Sequence, residues 1–197
     1  MTRRLPASER RAQLIETSIS VFSAQGYTAT TMDAIAEEAG VTKPVLYQHF
    51  ESKHELFLTL MTDIGERLTD QVVASVLKAT TPYERVSFGI KSFFSFMADH
   101  TEDFQLVFGE GFRAENDFLE IVERFENLMA EAIANLTDIP DRSLEARLLM
   151  ARGVVGMVEA TGKYWLLNPG GLDLNEVTEY ATDLVWLGLR GRPPVGN

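Results

Sequence analysis

The sequence predicts an all-α protein of about nine helices, a small three-helix head followed by a larger helical body. Three observations carry this. Apolar residues recur at the 3.6-residue period from one end to the other, and no segment alternates with period two. Helix starts recur as Ser, Thr or Asp followed three residues later by an acidic residue. Helix stops recur as Gly and Pro-Gly breaks.

The first helix is expected from about Ser8, its cap, to Gln25, with Leu14, Ile15, Ser18, Ile19 and Phe22 facing inward and Gly26 as a left-handed stop. Thr30-Thr31-Met32-Asp33 is a capping-box variant that opens a second helix, which shows Ile35, Ala36 and Ala39 on one side and closes at Gly40. Thr42 caps a short third helix, 43 to about 49. Ser52-Lys53-His54-Glu55 is a second capping box and starts a long helix to about Thr80, with Leu56, Phe57, Leu60, Met61, Ile64 and Leu68 in the helical repeat. Thr81-Pro82-Tyr83-Glu84 joins an N-cap, a proline at N1 and a glutamate at N3, and begins a helix to about His100. A shorter one near Glu102 to Phe108 stops at Gly109-Glu110-Gly111. The next covers about 116–136, before Ile139-Pro140-Asp141, and another about 143–167, before Asn168-Pro169-Gly170-Gly171. Asp173, with Glu176 at N3, caps the last, which runs to about Arg190. The head is then residues 1–53 and the body 54–197.

Composition narrows the function. With 45% apolar and 24% charged residues in 197, the chain can build an ordinary globular core. It has no cysteine and only three histidines (His49, His54, His100), so no thiolate metal site is possible and no metal or cofactor is expected. No nucleophile elbow or paired histidine–carboxylate unit is present, and Gly109-Glu110-Gly111 lacks the third glycine and preceding strand of a dinucleotide loop. An enzyme is not expected. The basic start, Met1-Thr2-Arg3-Arg4, leads into a polar run, and the longest apolar runs fall short of a membrane span. The expectation is a cytoplasmic protein with no membrane partner. The net charge of −11 belongs wholly to the body: the head has six basic and six acidic residues, the body 12 and 23. A neutral head with a few placed cations can still grip phosphates.

The informative stretch runs from Gly26 to Lys53. Physically it is two short helices joined by a tight turn, in which Gly40 supplies a positive φ and Val41, Val45 and Leu46 turn back toward Ile35, Ile19 and Phe22. That is a helix-turn-helix, whose second helix lies in the major groove of DNA. The side chains left outside on it are Lys43, Pro44, Tyr47, Gln48 and His49, which suit phosphates and base edges. Taken singly, Tyr47 reads as a rim aromatic, His49 as a helix-end cap and the arginine pairs as solvated ends. Their joint spacing is what argues for DNA.

This stretch resembles the DNA-binding signature of the TetR/AcrR family of bacterial regulators. The shared features are Gly26-Tyr27, Thr30-Thr31, Ile35-Ala36 with Ala39-Gly40-Val41, Leu46-Tyr47 with His49-Phe50, and Lys53 three residues beyond. The match covers roughly residues 8–57. One departure is Lys43-Pro44, where small residues are common in the family.

The resemblance implies roles. Thr31 and Thr42 would bind phosphate through hydroxyl and backbone N–H, Tyr47 and His49 would add backbone contacts, and Lys53 would touch phosphate. Lys43, Pro44 and Gln48 would face base edges, with Gln48 placed to pair with an adenine. Arg3, Arg4, Arg10 and Arg11 would reach the flanking backbone or minor groove. It further implies a homodimer on an inverted repeat of double-stranded operator DNA, most simply a repressor released by a small, mainly apolar effector.

In the body, the resemblance implies an effector cavity in the middle helices, lined by Phe88, Phe93, Met97, Phe108, Phe125, Met129 and Met157. Arg113, Arg152, Glu159 and Tyr164 are the polar candidates for orienting a ligand. Read singly, the aromatics are bundle core and the polar residues surface ion pairs. The dimer interface is expected on the last two long helices, through Val154, Val158, Thr161, Trp165, Val177, Tyr180, Ala181 and Leu184.

Overall fold

A computed structural model of the chain describes residues 6–108, 116–136, 142–168 and 170–190. Among them are nine α-helices and no strand: α1 Ala7–Ala29, α2 Met32–Glu38, α3 Lys43–Tyr47, α4 Lys53–Val76, α5 Pro82–Asp99, α6 Thr101–Phe108, α7 Asn116–Leu136, α8 Leu144–Leu167 and α9 Leu174–Arg190. Arg3, Arg4, Arg113 and the Gly109 to Gly111 break lie outside the described residues, as does the side chain of Phe108.

The capping chemistry accounts for most of the helix starts. Thr81 accepts from the Glu84 N–H at 3.1 Å while Glu84 accepts in return from the Thr81 N–H at 3.1 Å, a complete capping box. Glu84 also accepts from the Thr80 hydroxyl and N–H, and these bonds, the hydroxyl's first, hold its carboxyl below the ordinary glutamate value. Asp173 and Glu176 form the same reciprocal pair at α9. At α4, Ser52 caps Glu55 N–H, but Glu55 reaches back one residue further, to Glu51 N–H at 2.5 Å.

Two expected caps take another form. Thr31 alone caps α2, accepting from Ala34 N–H, while Thr30 is buried and donates its hydroxyl to Gly26 carbonyl. Asp33 takes no part in a box. Thr42 sits at the N-cap of α3 but makes no capping bond. The reason is its neighbour: Pro44 at N2 has no N–H, and Val45 N–H is already bonded to the Thr42 carbonyl at 2.9 Å.

Packing divides the chain into two compact units, Met1–Glu66 with His100–Val122 and Arg67–Asp99 with Glu123–Asn197. The first unit thus extends past residue 53, because its core is completed by the start of α4. Leu14, Phe22, Ile35, Leu46 and Phe50 are closed off by Leu56, Phe57 and Leu60 of α4, all essentially inaccessible. Phe118, at the start of α7, completes an aromatic cluster with Phe57 at 4.6 Å and Tyr27 at 5.0 Å between ring centres. Val41 and Val45 are only half-buried, so Leu46 is the residue that ties the turn to this core.

In the second unit α5 is the central element and packs against both α8 and α9. Its crossing with α8 depends on Gly162, where a β-carbon would stand 2.5 Å from Met97 Sδ and 3.1 Å from a Phe94 ring carbon. Gln71 and Ser92 bond reciprocally through side chain and carbonyl, fixing α4 to α5.

Candidate nucleic-acid interface

Two positive-φ glycines shape the outer side of the head. Gly26, at φ +75°, breaks α1 and turns Tyr27 to Thr30 back toward α4, so the helix does not simply end there as expected. Gly40, at φ +63°, makes the turn between α2 and α3. Leu46 is fully buried, and this fixes which side of α3 faces out. Thr31, Thr42, Lys43, Pro44, Tyr47 and Gln48 are all exposed, and His49 is half-buried beside Phe50. The structure brings these expected residues together on the outer side of α2 and α3.

The cations behave differently from one another. Lys43 Nζ lies 2.8 Å from Asp33 Oδ2, bridging α3 to α2, and this bond raises the lysine's pKa. Lys53 is expected to touch phosphate, yet its ammonium is spent inside the head. It donates to the carbonyls of Tyr27 (2.8 Å), Thr30 (2.9 Å) and Thr28 (3.3 Å) and lies 4.5 Å from the Tyr27 ring centre. An ammonium has three donors, and all three are taken. The side chain clamps the chain reversal that Gly26 begins, which leaves carbonyls without helical partners.

Family comparisons agree with this geometry. The model for "Bacterial regulatory proteins, tetR family" matches residues 14–60, and that for "Tetracyclin repressor-like, C-terminal domain" matches residues 82–188. The chain belongs to the TetR family. Within it, the chain is 33% identical over 192 residues to the transcriptional activator FasR of Mycolicibacterium smegmatis, covering 96% of this chain and 87% of FasR. The repressor KstR of the same organism is 34% identical over 80 residues, covering 41% of this chain and 39% of KstR. Among solved structures, a TetR-like regulator from Rhodococcus superposes with a TM-score of 0.79 at 26% identity, over 96% of this chain and 100% of that one. FadR from Bacillus subtilis, solved with stearoyl-CoA, gives 0.72 at 17% identity, over 88% and 96%. This TetR-family chain is therefore a transcriptional regulator, not an enzyme.

The second unit holds an apolar cavity of about 150 Å³. Its walls come from α4 (Val72, Val73, Val76, Leu77), α5 (Arg85, Val86, Gly89, Ile90, Phe93), α7 (Met129, Ala132, Ile133), α8 (Val154, Val155, Val158) and α9 (Val185). Of the expected lining residues only Phe93 and Met129 are there. Met97 is fully buried against Gly162 instead, and Phe88, Phe125 and Met157 are half-buried elsewhere. Most of the wall is valine and isoleucine, not the large aromatics that the sequence puts forward. The spacing Val72-Val73-Val76-Leu77 is the signal that could have found it. Arg152 pairs with Glu126 and Asn127 of α7, and neither it, Glu159 nor Tyr164 lines the cavity. Arg85 is the charged group that does.

The expected interface residues fall on two different sides of α8 and α9. Val158, Val177 and Ala181 are buried within their own chain, and Val154 lines the cavity, so their apolar surface is already covered. Trp165 donates its ring N–H to the Leu172 carbonyl at 2.7 Å, and Thr161 its hydroxyl to Met157 sulfur. Tyr180 and Leu184 do face out, at 57% and 62% exposure, joined by Leu149, Tyr164, Leu167 and Leu187.

Proposed function

We propose that the chain acts as a homodimer that binds an inverted repeat in double-stranded operator DNA and is released by a mainly apolar effector. The observation that carries the effector reading is the cavity, in which Arg85 is the one charged wall residue among those described. Concave, mostly apolar sites with a few placed polar groups are the general form of ligand pockets. An acyl ligand with an acidic head suits the chemistry of this wall, and the FadR structure with stearoyl-CoA supports that ligand class; the cavity of about 150 Å³ must widen to take a full stearoyl chain. The dimer reading is supported by large exposed apolar residues of α8 and α9, Leu149, Tyr164, Leu167, Tyr180, Leu184 and Leu187 among them, a surface that two copies would cover isologously. On DNA, Thr31, Thr42, Tyr47 and His49 position the head and Lys43, Pro44 and Gln48 read bases, with half-site centres about 34–36 Å apart or a multiple of that. Such a partner puts the protein in the cytoplasm with the chromosome.

For release, the effector must bind the DNA-incompetent arrangement more tightly, since equal affinity for both shifts nothing. Helix α4 begins at Lys53 in the head and carries Val72, Val73 and Val76 on the cavity wall, so a ligand that alters its position acts on both. Titration calorimetry with stearoyl-CoA and with stearate, each with and without a duplex selected by the protein, tests this. Operator should lower ligand affinity by a coupling of about 1–3 kcal/mol. Equal affinities in both titrations would exclude these ligands as inducers. Val155→Phe, which fills the cavity, should abolish the coupling and leave DNA binding in place.

Repression is the simplest outcome, since a dimer seated on a promoter blocks it. Activation is favoured by one observation: FasR, a relative 33% identical over 96% of this chain, is an activator. Reporter output with and without the protein separates the two.

A further inference from the structure

Up to Glu66, the described residues include four cations: Arg10, Arg11, Lys43 and Lys53. Three are directed at the head's own groups. Arg10 donates to Gln13 at 2.6 Å, the Arg11 guanidinium lies 4.6 Å from the Phe50 ring centre, and Lys53 holds three carbonyls. Lys43 alone combines a place on α3 with a half-exposed side chain, and its ammonium is occupied by Asp33 at 2.8 Å. Asp33 is itself 67% exposed in the first turn of α2, so the pair stands in solvent on the same outer side as Thr31 and Gln48.

We propose that Asp33 is a specificity-determining residue, whose carboxylate takes the place of a phosphate on Lys43 and holds down sequence-independent attraction to DNA. This rests on the reading that α3 meets the duplex. Non-specific affinity comes almost wholly from cations displacing counterions. A lysine already paired with a carboxylate brings no net charge to that exchange. An exposed ion pair is worth little, so a good acceptor can displace it. At an operator, contacts from Tyr47 and Gln48 seat the head and present such an acceptor. On an arbitrary sequence nothing offsets the loss of the pair, and the freed carboxylate repels the phosphates.

The test compares the full chain with Asp33→Asn, Lys43→Gln and the double variant. Each is titrated against a duplex selected from a random pool and an unselected duplex of the same length, over a range of salt. Asp33→Asn should tighten binding to the unselected duplex about two- to fivefold per head. It should steepen the log affinity–log salt slope there by about one per head. Affinity for the selected duplex should rise less, so discrimination narrows, and in the Lys43→Gln background the substitution should do little. Thermal melting checks the fold, with Asp33→Ser as the replacement if Asp33→Asn melts lower. An unchanged slope and ratio would overturn the proposal, as would equal tightening on both duplexes with or without Lys43. Weaker binding to both duplexes would overturn it too, by making Asp33 a positioner of Lys43. If Lys43→Gln changes neither affinity nor slope, the underlying reading of α3 fails, whereas a Lys43 effect without an Asp33 effect sinks the proposal alone.

Discussion

The two units use apolar surface in opposite ways. The first closes its core tightly: Phe22, Phe50, Phe57 and Phe118 are each at most 2% exposed, and what it leaves outside on α3 is Lys43, Pro44 and Tyr47. The second leaves a cavity inside and large apolar side chains outside, Leu149 at 75% and Leu187 at 67%. A tight core holds a short helix at a fixed angle, which reading bases requires. A core with a hole and an uncovered face leaves apolar surface that the chain itself does not fill, which is what the proposed ligand and the proposed second copy would use.

The contrast can be broken hardest at the head's aromatic cluster. Phe118→Ala removes a ring from contact with Phe57, Tyr27 and His54 and should cost about 3–5 kcal/mol, read by chemical unfolding. An effect below about 1 kcal/mol would mean that α7 is not part of the head's core.

Next comes the uncovered face. Leu184→Asp should convert the proposed dimer to monomer, because burial of Leu184 in both copies would be lost and a charge placed at each contact. We expect about 4 kcal/mol or more per dimer, read by sedimentation equilibrium, with operator affinity falling in step. Retention of the dimer would move the interface away from α9.

Lys53→Met sharpens the comparison by separating structure from DNA contact. Losing a half-buried ammonium with three carbonyl partners should destabilise the head by about 2–3 kcal/mol. The salt dependence of DNA binding should keep its slope. A slope shallower by about one unit per head would instead return Lys53 to the phosphates. Gln48→Ala, by contrast, should leave stability unchanged and relax preference at one base position, at a cost of about 1–3 kcal/mol. A selection experiment that recovers the same preference at every position would remove Gln48 from the reading set.

The smallest expected effect is on the surface of the body. Hydrogen bonds to the Glu84 carboxylate lower its pKa, so the stabilisation is present above the unfolded value and lost as pH falls through the folded one. Glu84→Gln should therefore melt slightly below wild type at neutral pH, and the difference should shrink as the pH falls below the ordinary glutamate range.

The helices and the exposed side of α3 were legible in the sequence because they are set by neighbours in the chain. Thr81 with Glu84, Asp173 with Glu176, and the positive φ of Gly40 are decided within four residues. The helical repeat then hides Leu46 and leaves Lys43, Tyr47 and Gln48 outside. Tertiary packing decided the rest. Which valines line a cavity depends on five helices that are far apart in sequence. Which side of α8 stays uncovered could not be read from a helix that is apolar on nearly every side, and so Val158 turns inward while Leu149 stands outside. Lys53 carries a charge that the family resemblance assigns to a phosphate, but the fold brings three carbonyls within 3.3 Å of it. Short-range chemistry fixes local shape, and only the folded chain decides which of a residue's possible partners is nearest.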